Sequence, residues 1–274
     1  MVVDVTRCNG CYNCVIACKD EHWENDWNPI AAAQPRHGAF WISIEKKERG
    51  QFPRVKVSYT PKLCMHCHAL PCGQSASESG VYTRPDGIVI IDPVKAVNRK
   101  EMLGACPYEA IFWNEEKKLP QKCTFCAHLL DGGWKEPRCV QACPTHALVF
   151  GDSDDPHSEV SKILATEKID VLHPELNLKT SVFYVGLPKA FIAGTAVFED
   201  TDGCAEAVRV TLEDPSASKT LTTATNNYGD FEFENLMPRK KYLVKLESDG
   251  YLTASVDVRL EEDTYLGQIT LKRK

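Results

Sequence analysis

The chain has 274 residues, 43% apolar and 26% charged, a balance that excludes low-complexity disorder and is long for one core, so two domains are expected. Neither a membrane span nor a secretion leader is expected, because no run of 18 uncharged apolar residues occurs and Met1 is followed at once by Val2, Val3 and Asp4; the cytoplasm is the expected compartment. Residues 1–150 carry eighteen Lys/Arg against sixteen Asp/Glu and residues 151–274 fourteen against twenty-two, and the longest basic cluster, Arg239-Lys240-Lys241, is too short for a nucleic-acid footprint.

In chain order, residues 1–5 alternate as a short strand. Cys8-Asn9-Gly10-Cys11-Tyr12-Asn13-Cys14, followed by Cys18, spells C-x2-C-x2-C-x3-C, and a short helix is predicted over residues 15–20. Phe40, Ile42 and Ile44 alternate along a strand, and residues 55–59 form another. Cys64-x2-Cys67-x4-Cys72 comes next, then a hairpin whose arms, residues 81–84 and 88–91, flank Pro85-Asp86-Gly87. Residues 93–103 suit a helix delivering Cys106, which Pro107 follows. The last cysteine run is Cys123-x2-Cys126-x12-Cys139-x3-Cys143-Pro144. Val160, Ile163 and Leu164 then lie at helical spacing after Pro156, and residues 172–188 read as an extended arm over the first domain. From residue 191 the pattern becomes seven short β runs (192–198, 208–212, 221–225, 230–233, 242–246, 255–260 and 265–271), which suit a sandwich.

Twelve of the thirteen cysteines lie between Cys8 and Cys143. Disulfides suit small secreted scaffolds, and two- and three-residue separations scarcely permit mutual bridging. Zinc knuckles are the serious competitor, but zinc rarely needs three consecutive knuckle positions. The first run has the spacing by which a tight loop offers three thiolates to one cubane while its fourth cysteine ligates another cluster. Exchanging fourth ligands gives Cys8, Cys11, Cys14 with Cys143, and Cys123, Cys126, Cys139 with Cys18. The remaining Cys64, Cys67, Cys72 and Cys106 make a third set. Three 4Fe-4S clusters use all twelve, and extending the half-motifs to full length finds Ala76, Ala96, Arg99 and Met102 where a fourth cluster would be ligated. Cys204 stands alone with no ligand role. His66, His68, His128 and His146 are read as neighbours of the clusters or surface residues, able to tune a potential. Arg7, Lys19, Lys62, Lys122 and Arg138 are candidates to offset cluster charge, with ordinary surface charge an equal alternative.

These motifs, with Cys64-Met-His-Cys-His-Ala-Leu-Pro-Cys72, Cys106-Pro-Tyr-Glu-Ala-Ile and Lys122-Cys-Thr-Phe-Cys-Ala-His, resemble those of the iron–sulfur electron-transfer subunits of the dimethyl sulfoxide reductase family of molybdopterin enzymes, over about residues 1–185. Departures are Lys19 after Cys18 where the family has Pro, and the four replaced ligands. Three clusters plus an added β module look closest to the small subunits of transhydroxylases acting on phenolic rings. The resemblance implies a large partner subunit, in a heterodimer, carrying molybdenum and molybdopterin guanine dinucleotide together with the chemistry, so no residue of this chain is expected to be catalytic. Gly194, Gly229, Phe231, Phe233, Tyr242 and Gly250-Tyr251 resemble carboxypeptidase-regulatory, transthyretin-like modules. The expected fold class is therefore α+β, with a ferredoxin-like three-cluster domain over residues 1–188 and a seven-stranded β-sandwich over 189–274. An electron relay is the leading role; clusters that only staple the fold, with the β module docking a partner, are the alternative.

Overall fold

The computed structural model describes residues 1–73, 80–217 and 219–274. They form two compact units, Met1–Lys46 with Tyr59–Leu187, and Lys47–Ser58 with Pro188–Lys274.

In the first unit the elements are short because cysteine loops occupy much of the chain. β1 (Val2–Asp4) leads through the first loop into α1 (Asn13–His22), which starts directly after a left-handed Tyr12, φ 62. A ribbon of β2 (Ile42–Gln51) and β3 (Arg54–Leu63) follows, then the hairpin β4 (Val81–Thr83) and β5 (Val89–Ile91). Its turn closes as Pro85-Asp86-Gly87 suggests: Gly87 stands at φ 81 and donates its amide to Arg84 O, while Asp86 accepts from Ile88 N.

Residues 93–103 are not the single helix expected. Asp92 Oδ1 takes the amides of Val94 and Lys95, Asn98 turns left-handed at φ 64, and only Lys100–Ala105 coils, as a 3-10 helix. A second hairpin, β6 (Phe112–Asn114) with β7 (Leu119–Gln121), escapes the sequence reading because its turn, Glu115-Glu116-Lys117-Lys118, contains neither Gly nor Pro. Asn114 supplies the turn chemistry instead, accepting the amides of Glu116 and Lys117.

After α2 (Ala127–Asp131), α3 (Arg138–Gln141), β8 (Leu148–Val149), α4 (Glu159–Thr166) and β9 (Ile169–Asp170), the arm supplies β10 (Phe183–Val185). The arm is thus part of a sheet ordered β8-β1-β10-β9, with β10 parallel to β1 in the register Val2↔Phe183. The core gathers Val3, Trp41, Ile42, Met65, Ile90 and Tyr184 around the buried cysteines. Among the described residues no helix is long and apolar enough to cross a membrane.

The second unit holds seven strands in two sheets. One is β14 (Asp230–Leu236), β11 (Ala190–Phe198) and β17 (Thr264–Leu271); the other is β13 (Lys219–Ala224), β12 (Arg209–Asp214), β15 (Lys240–Glu247) and β16 (Ala254–Leu260). All seven expected β runs are strands. Alternate residues such as Val210/Leu212, Phe231/Phe233 and Val244/Leu246 fill the core. Gly194 is needed because a Cβ there would lie 2.7 Å from the Phe231 ring. The ribbon tip, residues 47–58, belongs to this unit: Arg49 pairs with Asp263, Arg54 with Asp230, and Lys56 with Glu232 and Glu234.

Candidate metal centres

The structure brings the twelve cysteines into three neighbourhoods. Cys8, Cys11, Cys14 and Cys143 line one cavity with Ile44, Pro61 and Thr145, of about 290 Å³ including its open mouth. The loop that carries the first three depends on Gly10, at φ 71 against the Tyr59 ring. Burial, then the charges of Cys143 and Cys8, push the Cys14 thiol up to about 12. Cys143 goes the other way. Burial opposes its ionisation, but the amides of Leu148 and Ala147 and the Thr145 hydroxyl outweigh burial and lower its pKa.

Cys18, Cys123, Cys126 and Cys139 form the second neighbourhood, all buried. Burial and then the charges of Cys123 and Cys126 push both Cys18 and Cys139 well up. Burial holds Cys123 and Cys126 at about 12. Cys14 and Cys18 stand four residues apart on α1, Cys139 on α3 precedes Cys143 by the same interval, and α1 packs on α3, so each pair feeds one sulfur to each neighbourhood.

Cys64, Cys67, Cys72 and Cys106 make the third. Burial and then the neighbouring thiols raise Cys67 to about 12, and burial raises Cys72 to about 11. Backbone amides reach sulfur in every neighbourhood: His66 N to Cys64 at 3.5 Å, Ala110 N to Cys106 at 3.3 Å, Phe125 N to Cys123 at 3.4 Å and Ala147 N to Cys143 at 3.2 Å. Such donors favour the charged sulfur that a metal requires. Among the described residues no three His, Cys, Asp or Glu side chains converge on a single ion.

Of the cations that the sequence places beside ligands, only Lys122 is buried; its ammonium donates to the carbonyls of Val89 and Cys123. Lys19 binds the Pro35 and Gly38 carbonyls, whereas Arg7, Lys62 and Arg138 pair with Asp4, Glu45 and Glu21. His66 is fully buried, His128 bonds Glu21 and stacks on Trp27, His68 meets Ser181, and His146 is exposed. Sequence reasoning misses His22. It is buried with Nε2 3.7 Å from Cys126 Sγ, but sits inside α1 with no spacing signal to expose it. Cys204 is exposed and lies in the second unit.

At the four replaced ligand positions, Ala96 and Met102 are fully buried in an apolar cluster with Cys72, Ile91 and Ile111. Arg99 faces Glu101 near the surface, and Ala76 lies outside the described residues.

Comparison with known proteins gives two family matches: residues 55–153 match the 4Fe-4S dicluster domain and residues 192–272 the carboxypeptidase regulatory-like domain. The chain is 39% identical to the pyrogallol hydroxytransferase small subunit of Pelobacter acidigallici, covering 99% of this chain and 98% of that one. It is 35% identical to a subunit of the tetrathionate reductase of Salmonella typhimurium (70% and 74% covered) and 30% identical to the arsenate respiratory reductase iron-sulfur subunit of Shewanella (68% and 94% covered).

Proposed function

The chain belongs to the family of iron–sulfur electron-transfer subunits of molybdoenzymes, and from that premise we propose that it holds three 4Fe-4S clusters beside a large catalytic partner. The ligand sets are Cys8/Cys11/Cys14/Cys143, Cys18/Cys123/Cys126/Cys139 and Cys64/Cys67/Cys72/Cys106. The partner carries molybdenum with molybdopterin guanine dinucleotide and performs a hydroxyl transfer between phenolic rings, the pyrogallol–phloroglucinol transhydroxylation. The complex is cytoplasmic.

The observation that carries the cluster reading is the gathering of twelve cysteines, distant in sequence, into three groups of four. Each cluster supplies a one-electron change of oxidation state. The chain's residues do the rest. Thiolates bind, the amides of His66, Phe125, Ala110 and Ala147 stabilise charge on sulfur, Lys122 buries a compensating cation, and the apolar core excludes water. Identity over nearly the whole chain supports the transhydroxylase reading.

Anaerobic purification followed by iron and sulfide analysis tests it, with about twelve irons expected per chain. Zinc without labile sulfide overturns it. A relay to another molybdopterin oxidoreductase is the second reading, favoured by the identity to reductase subunits. Transhydroxylation is net redox-neutral, so steady turnover that survives Cys64→Ser and loss of that cluster excludes an obligatory relay through it. Clusters that never change oxidation state across the accessible range favour a purely stapling role.

A further inference from the structure

The loops Cys64-Met65-His66-Cys67 and Cys123-Thr124-Phe125-Cys126 are built alike. His66 and Phe125 occupy the same place in each, both left-handed at φ 45 and φ 50. Each returns its amide to the first sulfur of its loop, at 3.5 Å and 3.4 Å. Their rings stack with centroids 3.7 Å and planes 16° apart, and Cys64 and Cys123 are electrostatic neighbours. The second and third cysteine sets therefore meet across this pair of rings.

His66 differs from Phe125 by two ring nitrogens. Its Nδ1 accepts the Val89 amide at 3.0 Å, and an accepting nitrogen carries no proton, so the ring hydrogen is on Nε2. Nε2 is buried and has no hydrogen-bond partner among the described residues. A native core rarely leaves such a donor unsatisfied.

Resting on the reading that these sets hold iron–sulfur clusters, we propose that His66 Nε2–H donates a hydrogen bond to cluster sulfur where the Cys64 and Cys123 sets meet, raising the reduction potential of the cluster it touches. Reduction adds negative charge to the sulfurs, and a donor stabilises that more negative form. Phe125 offers the same stacking face without a donor, so the two sides of the ring pair are electrostatically unequal. His66 is a positioning residue for the electron and binds no metal.

The test uses the loaded full chain, labelled with ¹⁵N-histidine and partly reduced, and reads ¹⁵N hyperfine coupling by pulsed electron paramagnetic resonance beside a redox titration. A coupling is expected in the unaltered chain. It should survive His22→Phe, the control for the other histidine near a ligand, and survive Phe125→Leu. His66→Phe keeps the stack, removes the coupling and shifts one cluster's reduction equilibrium about tenfold against reduction, about 59 mV for one electron; His66→Gln, which restores a donor, recovers part of the shift. The cluster that moves identifies which side of the stack accepts the bond. No coupling in the unaltered chain, a coupling lost in His22→Phe, or unmoved potentials in a fully loaded His66→Phe overturns the proposal. If His66→Phe fails to load iron, the unaltered chain and His22→Phe decide. A chain purified without iron and sulfide overturns the cluster reading itself, so the two failures are distinguishable.

Discussion

Gly10 and the buried thiols show how single residues govern the first unit. At φ 71 against the Tyr59 ring, Gly10→Ala costs about 1–2 kcal/mol of backbone strain and adds a clash with the ring. The expected outcome is loss of the Cys8 set alone, iron falling from about twelve to about eight per chain; a variant that keeps all its iron rejects the role assigned to this turn. The thiols give a pH dependence. Burial raises Cys123 and Cys126 from 9.0 to about 12, so between those values the empty folded chain holds protons that the unfolded chain has released. Their contribution to the empty chain's stability is complete below pH 9 and is lost as pH rises towards 12. The urea midpoint of chelator-stripped chain should therefore fall between pH 8 and pH 10, while iron uptake, which displaces those protons, strengthens. A stripped-chain midpoint that rises over that interval contradicts the assignment. Cysteine spacing makes these sulfurs legible in the sequence. The burial of Lys122 and the stacking of His66 on Phe125 are not legible there, because both depend on chain segments brought together only by folding.

At the scale of elements, strands with alternating burial follow from period-two patterning, as in Val210/Leu212 and Val244/Leu246, because one face of each must enter the core. Segments whose backbone is ruled by side-chain acceptors do not. Asp92 and Asn114 each capture two amides, turning an expected helix into turns and creating an unforeseen hairpin. The first of these reshapes the stretch where a fourth cluster would have its ligands. Met102 and Ala96 are fully buried there against Ile91 and Ile111. Restoring cysteine at Ala76, Ala96, Arg99 and Met102 together is therefore expected to leave iron at about twelve per chain. Truncating buried Met102 should also cost about 2–4 kcal/mol through the cavity it leaves. Iron analysis and urea melts check both; about sixteen irons would show that the loop still adopts a ligand geometry.

At the scale of the whole molecule, the two units have separate apolar cores, one around the cysteine loops and one between the β sheets. The second unit is not made from the C-terminal residues alone. The ribbon tip contributes Arg49, whose side chain is 13% exposed, to Asp263, 8% exposed, and the same guanidinium donates to Lys189 O while Asp263 also receives the Phe191 amide. An ion pair so enclosed gives little net stability when intact, yet removing one partner strands the other's charge, which costs about 3 kcal/mol. Asp263→Ala should thus lower the thermal transition of the β unit. Stability of the cysteine-bearing unit comes from its own core and, when loaded, from its metal by mass action, so iron content should stay at about twelve and chelation should shift that unit's transition alone. Calorimetry of loaded and stripped chains, with and without the substitution, separates the two effects. A single transition moved equally by chelation and by Asp263→Ala would mean that the units unfold as one cooperative body, and the ribbon that runs from one grouping into the other would be the element that couples them.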